Sequence, residues 1–141
     1  MAKTVNVALI GQGFMGRTHS NAYLKVAKFF TDLPAVPVMH TSFGMKNENC
    51  NAFTSRWGWQ HCSTDWEKTV RSEEIDLVDI VTPNYMHMEP ALAALDAGKP
   101  VATEKPLAGT LADARTMVEA AKQAKVPTFV WYNYRRVPAV A

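Results

Sequence analysis

Val5-Asn6-Val7-Ala8-Leu9-Ile10-Gly11-Gln12-Gly13-Phe14-Met15-Gly16 is the stretch on which the fold turns. A short run rich in branched apolar residues leads straight into G-x-G-x-x-G, and the apolar spacing then becomes helical through Ala22, Val26, Phe29 and Phe30. That is strand, tight turn, helix. Gly11 makes the turn, Gly13 lets the backbone approach a pyrophosphate, and Gly16 lets the helix pack close on the strand. The helix N-terminus adds unpaired N–H groups and a partial positive charge, so this turn, with Phe14 and Met15 inside it, is the first candidate dinucleotide site. Three glycines can also be a turn and nothing more; the strand before and the helix after are the context that separates the two readings.

Working outward, the 141 residues with 48% hydrophobic content suit one globular domain with a sizeable core. No apolar run approaches the ~20 residues of a membrane span, and Met1-Ala2-Lys3-Thr4 runs directly into the first strand, so a cytoplasmic protein without membrane contact is expected. A formal charge of +2, with dispersed Lys and Arg, argues against nucleic acid as a partner. Cys50 and Cys62 lie outside any C-x-x-C spacing and read as free thiols.

Downstream, Asp32 to Pro37 breaks the first helix and Val38 to Phe43 resumes as a second strand. Asn47 or Asn49 is placed to cap a helix ending at Gly58, Gln60 to Ser63 reads as a third strand, and Thr64-x-x-Glu67 has capping-box spacing. Ile75 to Thr82 is a nearly continuous apolar run, broken by Asp76 and Asp79, as expected for a strand buried on both faces of a parallel sheet. A helix from about His87 to Ala97, a strand at Val101 to Thr103, a helix capped by Thr110, and a strand from Pro127 to Tyr132 complete the pattern. Strands alternating with helices in this way predict an α/β fold, a doubly wound Rossmann sheet of about six parallel strands with helices on both faces.

Ligands of such a sheet bind beyond the carboxyl ends of the strands. There the sequence puts the glycine turn, Thr82-Pro83-Asn84, Glu104-Lys105-Pro106 and Asn133-Tyr134-Arg135-Arg136. Lys105 is the candidate catalytic residue: at a strand end beside a nicotinamide it can hydrogen-bond a substrate hydroxyl, stabilise a developing alkoxide, or pass a proton. A surface lysine paired with Glu104 is the plainer alternative. Asn84 can bond a ribose or carboxamide, or simply make a turn. His87 follows that turn and is expected at the surface, and His19 reads as a packing residue beside the glycines. His40 and His61 have no ligand spacing with the cysteines, so no metal is inferred. The four tryptophans read as packing residues.

With these residues in view, the chain resembles the N-terminal domain of the glucose-fructose oxidoreductase / inositol 2-dehydrogenase (Gfo/Idh/MocA) family. The resemblance is carried by Gly11-x-Gly13-x-x-Gly16-x-x-His19, Asp79-Ile80-Val81-Thr82-Pro83-Asn84-x-x-His87, Ala97-Gly98-Lys99-Pro100-Val101 and Glu104-Lys105-Pro106-Leu107. It is also carried by the closing Asn133-Tyr134-Arg135-Arg136-Val137-Pro138-Ala139-Val140. It implies an NAD(P)-dependent oxidoreductase acting on a hydroxyl of a sugar, cyclitol or anhydrosugar, with the Glu-Lys-Pro lysine near both nicotinamide and substrate. The candidate cofactor-binding set is then Gly11, Gly13, Phe14, Met15, Gly16, Ser42, Lys46, Thr82, Pro83, Asn84, His87, Glu104 and Lys105.

Between Asp32 and Glu48 there is no acid to hold an adenosine ribose, whereas Ser42 and Lys46 offer a hydroxyl and an ammonium, so NADP is expected over NAD. Family members usually continue into a second α/β domain that covers the substrate, carries a catalytic histidine and forms the oligomer interface. This sequence stops at Ala141, which predicts a truncated domain, inactive alone and self-associating through surface around Tyr132, Tyr134 and Val137. The alternative is a non-catalytic dinucleotide-binding sensor or interaction module.

Overall fold

A computed structural model describes residues 3–140 of the chain. Six strands form one parallel sheet: β1 (Lys3–Ile10), β2 (Ala35–Phe43), β3 (His61–Ser63), β4 (Leu77–Ile80), β5 (Val101–Glu104) and β6 (Thr128–Trp131). The helices between them are α1 (Phe14–Phe29), α2 (Asn47–Trp57), α3 (Trp66–Arg71), α4 (Met88–Asp96) and α5 (Leu111–Ala124), with short 3-10 turns at Asn84–Met86 and Asn133–Arg136. The strand order is β3-β2-β1-β4-β5-β6. β1 therefore has β2 on one side and β4 on the other, and the order reverses there, opening a crevice above the carboxyl ends of β1 and β4.

The period-two alternation of the strands builds two cores, one on each face. Ala8, Ile10, Val78, Ile80 and Val101 look toward α3, α4 and α5, where Val70, Ala91, Ala94, Leu95 and Met117 meet them. Val7, Leu9 and Val81 look the other way, toward Phe53 and Trp59 with Met15 and Tyr23 packed against them. The second face carries only α1 and α2. Toward β6 that face is open, and all four β6 residues are exposed, including Phe129 and Trp131.

Several local expectations are corrected. β2 begins at Ala35, three residues early, and includes Pro37; β3 pairs only with Thr41–Phe43, so Pro37 lies where β2 has β1 on one side and an open edge on the other, a position that tolerates a missing N–H. A bulge between Val7 and Ala8 of β1 leaves His40 as the extra residue of β2. Lys46, not Asn47, occupies the N-cap of α2, whereas Gly58 ends that helix in the left-handed region as expected. The cap of α3 is Asp65, one residue past Thr64, its carboxylate accepting from the Lys68 N–H at 2.9 Å. Thr110 caps α5 as read, accepting from the Asp113 N–H at 3.1 Å. Cys50 and Cys62 are not free thiols: α2 folds back over β3 and brings their Cα atoms to 5.7 Å, and the two form a disulfide. Sequence spacing could not register that tertiary approach.

Candidate functional site

The glycine turn sits over the crevice. Gly11 has φ +120, open to glycine alone at little cost, and a Cβ there would meet the main chain of Val81 and Thr82 at 3.0–3.1 Å. A Cβ on Gly16 would strike the Gly11 carbonyl oxygen, so only glycine lets α1 begin this close to the turn. Gly13 differs: a Cβ there would meet nothing within 4 Å, because it faces open space. No side chain caps α1 at Gly13, and the first helical bond runs from Arg17 N–H back to Gly13 carbonyl at 3.2 Å. The N–H groups of Phe14, Met15 and Gly16 precede that bond, at the positive end of a 16-residue helix. A cradle of this kind fits a pyrophosphate.

A cleft of about 520 Å³ opens from the turn, bounded by Gly11, Gln12 and Gly13, by Gly44, Met45 and Lys46 after β2, and by Thr82 and Pro83 after β4. Of the residues expected to touch a nucleotide, Gly11, Gly13, Lys46, Thr82 and Pro83 line this cleft. Ser42 does not: it is fully buried beneath the cleft, its hydroxyl 3.1 Å from Gln12 Nε2 and 2.7 Å from Thr54 Oγ1. Gln12, unremarked in the sequence, is thus held by Ser42 with its side chain against Gly44. Phe14 is 72% exposed and lines neither this cleft nor the cavity described next. Asn84 lies in the 3-10 turn after Pro83, half-buried. His87 is corrected from surface to core. At 1% exposure, its Nε2 lies 2.8 Å from the Thr82 carbonyl and its Nδ1 3.2 Å from the Leu107 carbonyl, because the 3-10 turn rotates it inward. It ties the end of β4 to the loop after Lys105.

A second cavity, about 560 Å³, lies between α1 and the open face of β5 and β6, lined by Met15, His19 and Tyr23, by Glu104 and Lys105, and by Phe129, Trp131, Asn133 and Arg136. Its floor is a buried polar network. Asp79 of β4, fully buried, accepts from Tyr23 Oη at 2.8 Å and from Trp131 Nε1 at 2.9 Å, and faces His19 Nδ1 at 2.8 Å. His19 Nε2 faces Glu104 Oε1 at 3.0 Å, while Glu104 Oε2 accepts from the Lys105 main-chain N–H at 3.0 Å. Burial opposes charge on His19, but the hydrogen bond and charge of Asp79, followed by those of Glu104, outweigh it and hold its pKa above the ordinary value. Burial, then the charge of Asp79, pushes the Tyr23 phenol well up. Lys105 is exposed, and among the described residues no carboxylate lies within ion-pair distance of its ammonium; Glu104 pairs with His19 instead.

Asp79, Tyr23 and Trp131 were not singled out in the sequence for this site. Asp79 left a signal there, an acid interrupting the most apolar strand, since a charge in a two-sided strand must be paired. Nothing in sequence pointed to Tyr23 or Trp131, which converge only through the sheet order.

Comparison with known proteins adds the relationships. The model of a family described as an oxidoreductase family with an NAD-binding Rossmann fold, GFO_IDH_MocA, matches residues 5–132. The levoglucosan dehydrogenase of Pseudarthrobacter phenanthrenivorans is 41% identical over 139 residues, covering 99% of this chain and 36% of that protein. The D-apiose dehydrogenase of Paraburkholderia graminis is 33% identical over 133 residues, 94% of this chain and 33% of that one. A solved levoglucosan dehydrogenase in complex with NADH and levoglucosan superposes with a TM-score of 0.94 at 41% identity, over 99% of this chain and 38% of that one. The chain thus spans about a third of the length of the curated relatives it matches. Among the described residues no helix is long and apolar enough to cross a membrane.

Proposed function

The chain belongs to the Gfo/Idh/MocA family of oxidoreductases as its NAD(P)-binding Rossmann domain, and from that premise we propose that it serves a dehydrogenase acting on a hydroxyl of a sugar, cyclitol or anhydrosugar. The observation that carries the reading is the uncapped N-terminus of α1 over a cleft into which Gly13 presents no side chain, with Lys105, after β5, lining the second cavity. The names of the relatives, dehydrogenases of levoglucosan and D-apiose, support the substrate class. When bound, the nicotinamide gives or accepts the hydride. The first-turn N–H groups of α1 bind the pyrophosphate, and Thr82 and Pro83 wall the cleft on the β4 side. Lys105 donates from its ammonium to the substrate oxygen and stabilises negative charge developing there.

NADP is the nucleotide proposed. The end of β2 carries no carboxylate that would repel a 2′-phosphate, and Lys46, exposed at the N-cap of α2, supplies a cation beside it. Ser42 contributes only through Gln12. A relative solved with NADH indicates that the same scaffold also takes NAD, so the preference rests on Lys46. Titration calorimetry should show saturable binding of both nucleotides by this chain. Lys46→Ala should weaken NADP by about tenfold, near 1.4 kcal/mol, and leave NAD almost unchanged. A larger loss for NAD would refute the assignment.

A further inference from the structure

The two ring nitrogens of His19 each face a carboxylate oxygen, Asp79 at 2.8 Å and Glu104 at 3.0 Å. Between two ionised carboxylates, a neutral imidazole with its single N–H would set a lone pair against one of these oxygens, so both contacts are satisfied when both nitrogens carry hydrogen. Neither carboxylate can turn to water, since Asp79 is fully buried and Glu104 is 6% exposed. Asp79 has other donors in Tyr23 and Trp131, but His19 is the one side chain hydrogen-bonded to Glu104 among the described residues. Glu104 spends its second oxygen on the Lys105 main-chain N–H.

We propose that His19 is a positioning residue: as an imidazolium bridging Asp79 and Glu104, it fixes the main chain from which Lys105 projects. The proposal rests on the reading of Lys105 given above and adds to it the group that aims the lysine. The bridge joins α1, β4 and β5, and β6 closes it through Trp131, whose ring meets His19 edge-on at 5.4 Å between centroids. The titratable and charged groups around His19 are Tyr23 from α1, Asp79 from β4, and Glu104 and Lys105 from the end of β5; Arg136, after β6, lines the same cavity. A cation set between two buried carboxylates offsets the cost of burying their charge, and His19 is placed to supply it. With the His19 pKa held above the ordinary histidine value, its charge is fully present below that ordinary value, and the bridge to the two carboxylates is lost as pH rises through the raised pKa.

The test is nuclear magnetic resonance on the 141-residue chain with ring-labelled histidine and a uniformly labelled backbone. The expected result is doubly protonated ring nitrogens for His19 at neutral pH, a midpoint above that of a free histidine, and a Lys105 amide resonance that moves with the same midpoint. His19→Gln, which carries no charge and does not titrate, should shift the Lys105 amide and remove that pH dependence. If the variant does not fold, the wild-type titration decides alone. A neutral His19 ring at neutral pH, or a Lys105 amide indifferent to its titration, overturns the proposal. Nucleotide titration of the same wild-type sample reads the cofactor assignment separately, so failure of one is distinguishable from failure of the other.

Discussion

Gly13→Val should lose nucleotide affinity by about 100-fold, close to 3 kcal/mol, while the protein stays folded. The two effects separate because of where Gly13 sits. Its φ of −70 and ψ of −156 are extended backbone, and a Cβ built on it would meet nothing within 4 Å, so a side chain begins in free space. Loss of a favourable cap residue costs α1 about 1 kcal/mol at most. The branched side chain instead occupies the volume between the first-turn N–H groups and the cleft, where a pyrophosphate must come to hydrogen-bond distance. Gly16→Ala is the opposite case, because its methyl strikes the Gly11 carbonyl and forces the turn to move, so it should lower stability and binding together. Calorimetric titration with thermal melts on both variants checks the pair, and a Gly13→Val protein binding like the wild type would remove the glycine turn from the site.

The largest stability loss is expected from Asp79→Ala, about 3–5 kcal/mol in urea unfolding. The substitution deletes the acceptor for Tyr23 Oη and Trp131 Nε1 and one anchor of His19, around a carboxylate that is itself fully buried, and leaves a cavity besides. Asp79→Asn keeps the volume and one carbonyl oxygen but presents an N–H₂ to donors, so it should lose less than the alanine variant and more than a surface change. An Asp79→Ala protein within about 1 kcal/mol of wild type would show that the network adds nothing net.

The fold was legible in the sequence because its signals are local. Branched residues from Val5 to Ile10, helical spacing after Gly16, the Thr110 cap and the Gly58 terminus each express a rule acting over a few residues, and together they imply the parallel order. The errors lie where a long-range contact decides. Pro37 is accommodated because β3 is too short to reach it, His87 turns inward to meet the Thr82 and Leu107 carbonyls, and Cys50 finds Cys62 across the α2–β3 turn. The site divides in the same way. Gly11, Gly13, Lys46 and Thr82 were named from motif and position and line one cleft. Ser42 was named by position alone, and burial withdraws it. In the sequence His19 reads as packing, because a histidine on a helix carries no mark of what faces it. Only the order β1-β4-β5-β6 brings Asp79, Glu104 and Trp131 beneath it.

The central claim is that this chain holds a dinucleotide across the glycine turn with its reactive end toward Lys105. Backbone amide resonances followed during titration with NADPH test it most directly. The account predicts saturable shifts concentrated at Gly11 to Gly16, Gly44 to Lys46, Thr82 to Asn84 and Lys105, with the far face of the sheet, around Met117 and Ala121, unmoved. Shifts centred on that far face, or none at millimolar nucleotide, would contradict it.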